Sequence, residues 1–143
     1  MRLIQLTPND LHKVWDLFRY GLLQSIPGLL NKTPESMQAI LVNLLNQKAQ
    51  AWVLTGEDGI ATVLVTYIEH DKVTGYKYLF AYAMYNFHPV GREGWNLLST
   101  GLDKFARGNG CKSIMFYTNV DDLRKGAELF DFKATSTILE REV

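Results

Sequence analysis

The sequence predicts an α/β (α+β) fold in one domain, residues 1–143, with a mixed, mainly antiparallel six-stranded sheet and helices on both faces. Three observations support this prediction. Hydrophobic periodicity changes along the chain in the order β-α-α-β-β-β-α-β-α-β. The connections between the three central strands are too short for crossovers, so these strands form an antiparallel meander. The strand–helix–strand unit that follows requires a crossover and therefore a parallel strand pair.

The first part of the chain contains one strand and two helices with clear start signals. Residues 2–6 alternate in hydrophobicity, as a short strand does. Thr7 and Thr33 each stand directly before a proline, which suits an N-cap followed by the first helical position. The segment "IPG" at 26–28 should end the first helix. Both helices carry an apolar stripe at helical spacing and should bury one face.

The rest of the chain supplies the other elements. Strands are predicted, with turns between the first three, at residues 51–55, 60–70, 76–87, 111–118 and 132–142. Helices are predicted from an apolar stripe at 94–106 and in a short segment at 120–129. Asn109 and Gly110 should end the longer of these two helices.

Composition argues against several functional classes. Hydrophobic residues make up 47% and charged residues 21%, as in an ordinary globular protein. Fifteen basic side chains balance fifteen acidic ones, so we expect neither a nucleic-acid nor a membrane partner. No apolar run long enough to span a membrane and no signal peptide is recognised, and the expected location is the cytoplasm. The single Cys111 excludes an internal disulfide, and the three scattered histidines argue against a metal site.

The stretch "HPVGREGWNLL" (88–98) joins the aromatic strand to the long helix and allows two interpretations. In the first, the helix N-terminus holds a phosphate, because its unpaired N–H groups attract anions and glycine lets the backbone approach the ligand. In the second, the stretch is a turn that ends the strand, and its glycine only allows helix and strand to pack closely. The residues alone leave both interpretations open.

The aromatic strand also allows two interpretations. Strict alternation places on one face Leu79, Ala81, Ala83, Tyr85 and Phe87, and on the other Tyr76, Tyr78, Phe80, Tyr82 and Met84. The two small alanines could leave room for a slender ligand. The alternative is a strand that belongs to the core, as aromatic strands usually do.

Two segments carry a resemblance to a known family. "GWNLLSTGLDKFARGNGCKSIMFYTN" (94–119) is similar to the central helix and following strand of the GNAT N-acetyltransferases, with Asn119 where that family often has an asparagine. "AELFDFKATSTILERE" (127–142) resembles the family's tyrosine-containing helix, Gly-Phe pair and final strand. The element order agrees over nearly the whole chain. The resemblance implies an acyl-CoA N-acyltransferase fold, acetyl-CoA as co-substrate and an amine acceptor, either a small molecule or a protein.

The resemblance also implies where the coenzyme would bind. The family pattern Gln/Arg-x-x-Gly-x-Gly/Ala precedes two leucines, and Leu97 and Leu98 then place Gly94 on its last glycine. The same alignment puts Arg92 on the first glycine, where its guanidinium could pair with a phosphate, while Glu93 adds a negative charge beside it. The implied coenzyme contacts are Met84, Tyr85, Asn86, Val90, Gly91, Arg92, Gly94, Trp95 and Asn119.

The catalytic groups of the family are not obvious in this chain. Alignment through Phe132 places Ala127 where the family often has a proton-donating tyrosine, and alignment through Phe130 places Lys125 there instead. Tyr117 on the preceding strand is the nearest substitute. Residues 76–87 lack the glutamate that the family often uses as a base. His88, next to the loop, is the candidate base because histidine titrates near neutrality.

Two hypotheses about function therefore remain. The first is an acyl-CoA-dependent N-acetyltransferase with His88 and Tyr117 as catalytic candidates. The second is a catalytically inactive GNAT-like binding or structural module, a role that would suit a phage protein. Neither the acceptor nor the oligomeric state follows from the sequence, and a homodimer is left open.

Overall fold

Five strands form one open sheet that lies between two layers of helices. The computed structural model describes residues 1–26 and 32–143. The elements are β1 (Arg2–Leu6), α1 (Pro8–Ser25), α2 (Pro34–Leu45), β2 (Gln50–Gly56), β3 (Gly59–His70), β4 (Lys77–Asn86), α3 (Gly91–Gly108), β5 (Ser113–Phe116) and α4 (Asp121–Glu128). The strand order is β1-β2-β3-β4-β5, so the sheet follows the order of the chain.

The first two helices begin where their caps predict. The amide of Asp10 donates to Thr7 Oγ1 at 3.4 Å, and the amide of Ser36 donates to Thr33 Oγ1 at 3.1 Å. These bonds satisfy an N–H group that the first helical turn would otherwise leave unpaired. Helix α1 ends at Ser25, but the predicted break at residues 27–28 lies outside the described residues.

The predicted meander and the parallel pair are both confirmed. Strands β2, β3 and β4 pair antiparallel in sequence order. Strand β5 pairs parallel to β4, from Tyr78 opposite Ser113 to Ala81 opposite Phe116. Helix α3 supplies the crossover between these two strands, as a parallel pair requires.

Alternating side chains of the sheet enter two separate cores. Val53, Val63 and Val65 pack in a first core with the apolar stripes of α1 and α2. Trp52 and Leu64 alternate with them and pack in a second core with the stripe of α3. Helices therefore cover both faces of the sheet, because each face of β2 and β3 is apolar.

A bulge in β4 overturns the predicted alternation of that strand. Val65 lies opposite Ala83 while Thr66 lies opposite Ala81, which leaves Tyr82 as an extra residue. Ala81 consequently packs in the second core and Ala83 in the first. The prediction that the two alanines share one face was wrong, and so was the ligand space suggested between them.

The predicted sixth strand at residues 132–142 is absent, which corrects the six-stranded sheet to five strands. Phe132 packs edge-on against Phe116, with ring centroids 5.3 Å apart. Residues 133–143 form neither helix nor strand and are exposed, Leu139 to 92%. Their alternation and β-branched residues give only a local preference, whereas a strand also needs a paired neighbour. In the described parts of the chain, no helix is both long enough and apolar enough to cross a bilayer.

Candidate active site at the ends of β4 and β5

Strands β4 and β5 separate beyond their last paired residues, Ala81 and Phe116. Strand β4 continues to Asn86, while the chain after Phe116 turns through residues 117–120 into α4. From Tyr82 to Asn86, the edge of β4 that faces β5 therefore has no strand partner among the described residues. Such an edge offers backbone N–H and C=O groups to an extended ligand. Three of the predicted coenzyme contacts, Met84, Tyr85 and Asn86, lie on it.

The N-terminus of α3 lies just after this edge and has the backbone form of an anion-binding nest. Val90 is right-handed, with φ −96° and ψ −15°, and Gly91 is left-handed, with φ +64°. This right-to-left pair turns successive N–H groups toward one concave side, which suits an anion. No side chain of the described residues caps α3, so the amides of its first turn stay available. Glycine suits position 91 because the left-handed region costs most other residues about 1–2 kcal/mol.

Charges of both signs surround this nest. Arg92 and Glu93 are exposed, and Glu93 Oε1 lies 3.7 Å from the amino nitrogen of Met1. Glu93 also lines an open pocket of about 370 Å³ together with Glu57, Asp58 and His88. On the side of the β2–β3 turn, these three carboxylates would repel a bound phosphate. The guanidinium of Arg92 would attract it.

Two predicted coenzyme contacts have clear packing roles. A Cβ on Gly94 would lie 2.6 Å from Val90 Cβ and 3.0 Å from Leu54 Cδ2, so this glycine lets α3 rest on the sheet. The indole of Trp95 covers Gly126 of α4, where a Cβ would collide with the ring. Close packing alone therefore explains why residue 94 is a glycine, and no ligand is needed to explain it.

The two catalytic candidates lie on opposite flanks of β4 and are not brought together. His88 is exposed and faces the pocket beside the β2–β3 turn. Tyr117 follows β5, is 46% exposed, and its ring centroid lies 4.9 Å from that of Phe80. Asn119 is exposed in the loop between β5 and α4. Tyr117 is therefore the candidate closer to the separation of β4 and β5.

Helix α4 offers no proton donor at the position that the resemblance suggests. Ala127 is only 2% exposed and faces the interior. Asp131 has φ +68°, a conformation that glycine adopts most readily. This is the residue that the alignment through Phe132 places on the family's glycine.

Sequence reasoning missed an aromatic patch beside the separation of the strands. We call Tyr67, Tyr78, Phe80, Tyr82 and Tyr117 the aromatic surface. Glu69 lies beside Tyr78 and is half-buried. Burial, and then the Glu69 carboxylate, raise the pKa of Tyr78, which keeps its hydroxyl protonated at neutral pH. The available signal was the aromatic alternation at 78–82, for which we considered a core strand and a strand with room for a slender ligand.

No cluster of three or more histidine, cysteine or carboxylate side chains that could hold a metal occurs within residues 1–26 and 32–143.

Comparison with known proteins identifies the fold but gives no match by sequence. No protein-family model matches, and no curated protein does. Among solved structures, an aminoglycoside acetyltransferase from an uncultured soil metagenomic sample, in complex with sisomicin, superposes with a TM-score of 0.71 at 17% identity, covering 99% of this chain and 94% of that one. The chain has the fold of the GNAT N-acetyltransferases.

Further GNAT-fold neighbours cover the chain equally well. AAC(6')-Iy, in complex with the bisubstrate analogue CoA-S-monomethyl-acetylneamine, gives a TM-score of 0.71 at 15% identity, with 99% of this chain and 96% of that chain covered. Ribosomal-protein-alanine N-acetyltransferase from Brucella melitensis biovar Abortus 2308 gives 0.64 at 17% identity, with 99% and 100% covered. At these identities the likeness establishes the GNAT fold, and activity has to be argued from the site.

Proposed function

We propose that this GNAT-fold chain binds acetyl-CoA at the ends of β4 and β5 and transfers the acetyl group to an amine. One observation carries the proposal: the unpaired edge of β4 lies directly before the nest formed by Val90 and Gly91. An extended pantetheine arm can pair with such an edge, and a pyrophosphate can accept hydrogen bonds in such a nest. A likeness to solved acetyltransferases of the same fold supports the proposal.

The reaction needs few groups from the protein beyond positioning. The neutral amine nitrogen attacks the thioester carbonyl carbon, a C–N bond forms, and the C–S bond breaks. The nitrogen loses a proton and the departing thiolate gains one. An unpaired N–H on the edge of β4 can polarise the carbonyl oxygen. Fixing amine and thioester together supplies a large part of the acceleration.

We propose Tyr117 as the donor to the thiolate because it follows Phe116, the last residue of β5. His88 is the proposed base because it alone of the three histidines follows the C-terminal end of β4. Since His88 lies on the other flank of β4, its proton transfer would run through water.

The second candidate function is a module that keeps the fold without catalysis. Two observations favour it. Ala127 is buried at the position where the family often has its tyrosine, and Glu57, Asp58 and Glu93 place negative charge near the nest. Binding and turnover measurements separate this candidate from the enzyme.

Calorimetric titration with acetyl-CoA tests the proposed site through Arg92→Glu. The substitution should weaken binding by about 1.5–3 kcal/mol, because it removes a charge-assisted hydrogen bond and adds repulsion. Lys104→Glu is the matched control, since it makes the same charge change at an exposed position further along α3. Equal affinities of parent and Arg92→Glu would exclude Arg92 from the site. Binding without thiol release across a panel of amines would favour the inactive module.

A further inference from the structure

The aromatic surface belongs mainly to a part of the sheet that the helices leave uncovered. Tyr78, Phe80 and Tyr117 are members of neither of the two apolar cores of the described residues. Tyr117 is 46% exposed, and Tyr78 and Phe80 are half-buried. This open area adjoins the separation of β4 and β5, where the acetyl group would lie under the proposed function.

Four rings of this surface form a connected strip, and Tyr78 lies two residues before Phe80 on the same face of β4. Ring centroids lie 6.0 Å apart for Phe80 and Tyr82, 4.9 Å apart for Phe80 and Tyr117, and 5.5 Å apart for Tyr67 and Tyr82. Aromatic faces attract ammonium groups through the ring quadrupole and also accommodate methylene chains. The strip therefore suits an organic cation with an apolar chain.

Two carboxylates lie near Tyr78 at the far end of the strip: Glu69 on β3, and the exposed Asp71, which accepts hydrogen bonds from the amides of Val73 and Thr74. Residues paired across neighbouring strands share a face, so Glu69 lies on the same face as Tyr78. The next pair, His70 and Lys77, points to the opposite face. On strand positions 67–69, 78–82 and 113–117, Glu69 is the one charged side chain that shares the face of the aromatic surface. A cation is therefore complementary to this end as well.

The distance between the two ends sets the length of the ligand. Glu69 lies level with Tyr78, and the separation of the strands begins at Tyr82. Four residues at a rise of roughly 3.3 Å each give about 13 Å. A molecule that presents one amine at the separation and pairs a second ammonium with Glu69 must span about this length.

We propose that the aromatic surface binds the acceptor and that the acceptor is an elongated diamine or polyamine. One end presents the reacting nitrogen where β4 and β5 separate, the chain lies across the rings of Phe80 and Tyr78, and the other end pairs with Glu69. The reaction rests on the proposed function, whereas the binding site rests on the aromatic surface itself.

Calorimetric titrations of the full chain, with and without saturating coenzyme A, test this proposal. The probes are 1,8-diaminooctane, n-octylamine of the same chain length, and the shorter 1,4-diaminobutane. The long diamine should bind severalfold more tightly than n-octylamine, because only the diamine can pair one ammonium with Glu69 while a second ammonium lies over the rings at the separation. Glu69→Gln should remove this difference in affinity. The affinity for the short diamine should be the same in the parent and in Glu69→Gln. Glu35→Gln, which removes an exposed carboxylate at the start of α2, should leave all three affinities unchanged.

Phe80→Leu provides a second variant that keeps apolar volume but loses the ring. Phe80→Leu should lower the affinity for the long diamine severalfold. The melting temperature of the variant reports whether the fold survives. Unchanged binding of the long diamine in both Glu69→Gln and Phe80→Leu would overturn the proposal. Conversion of a dimer to a monomer by Phe80→Leu in sedimentation velocity would also overturn it, because the surface would then join two copies. Diamine binding that depends on Glu69, without any binding of coenzyme A, would keep this amine site and reject the proposed transferase.

Discussion

At the scale of single residues, the main lesson concerns the glycines and alanines of the predicted site. Gly91 is left-handed and open on its outer side, as a ligand-binding glycine would be. Gly94 is closed by Val90 and Leu54, as a packing glycine is. The sequence placed both in one loop but could not separate these roles, because contact with Leu54 depends on how α3 docks on β2.

Gly94→Ala tests the packing role of this glycine. We expect a loss of about 1–3 kcal/mol in the free energy of unfolding, because the added methyl group meets two side chains of a packed core. Gly108→Ala is the matched control on the same helix, since nothing lies within 4 Å of the place that its new methyl group would take. The control should be neutral or stabilising by up to about 1 kcal/mol. Urea unfolding measures both, and equal stability of the two variants would contradict the packing argument.

Ala127→Tyr shows why a proton donor cannot simply be restored on α4. Ala127 is 2% exposed, so a tyrosine ring would have to enter the interior rather than the site. We expect a loss of stability of about 1–3 kcal/mol or more and no gain in turnover. Lys125→Tyr, on the exposed side of the same helix, should keep the stability of the parent. Higher turnover in Ala127→Tyr at unchanged stability would show that this position faces the thioester.

At the scale of elements, the sequence predicted helix starts correctly, whereas it predicted strand register and strand pairing less well. Helices α1 and α2 begin at Pro8 and Pro34, as predicted, because an N-cap is a contact between neighbouring residues. The bulge at Tyr82 escaped prediction because it depends on the register between β3 and β4. The strand expected at 132–142 failed for a related reason, since alternation cannot say whether a neighbouring edge will pair.

The bulged end of β4 also gives the protein a pH response. Burial, and then the charge of Tyr67, raise the pKa of Tyr82 above its usual value near 10. The native state therefore keeps this proton when the unfolded chain has lost it, and stability falls as pH rises from about 10 through the folded pKa. Tyr82→Phe should show a smaller fall in the free energy of unfolding above pH 10. The difference between parent and variant should be constant below about pH 9, and urea unfolding over this range measures it.

An unchanged alkaline fall in Tyr82→Phe would mean that Tyr82 loses its proton equally in the native and unfolded states. The substitution should change packing little, because phenylalanine keeps the ring that contacts Tyr67 and Phe80. Within the described residues, the Tyr82 hydroxyl makes no hydrogen bond that the substitution would remove.

At the scale of the whole molecule, the arrangement of the strands creates the candidate site. The meander and the parallel β4–β5 pair followed from connection lengths and crossover geometry, and both were predicted. Because only residues 87–90 join β4 to α3, the N-terminus of α3 directly follows, in the chain, the strand end whose edge is unpaired. The loop residues that we propose for this site come from the sequence. The aromatic surface could not, since it exists only where β3, β4 and β5 lie side by side.

The central claim is that coenzyme A lies along the free edge of β4 with its pyrophosphate in the nest before α3. Backbone ¹H–¹⁵N spectra of the labelled protein, recorded during titration with coenzyme A, test it most directly. We predict the largest shifts for the amides of residues 82–86 and 90–92, with little change in the β2–β3 turn. Absence of shifts at saturating coenzyme A, or shifts confined to other surfaces, would contradict the claim.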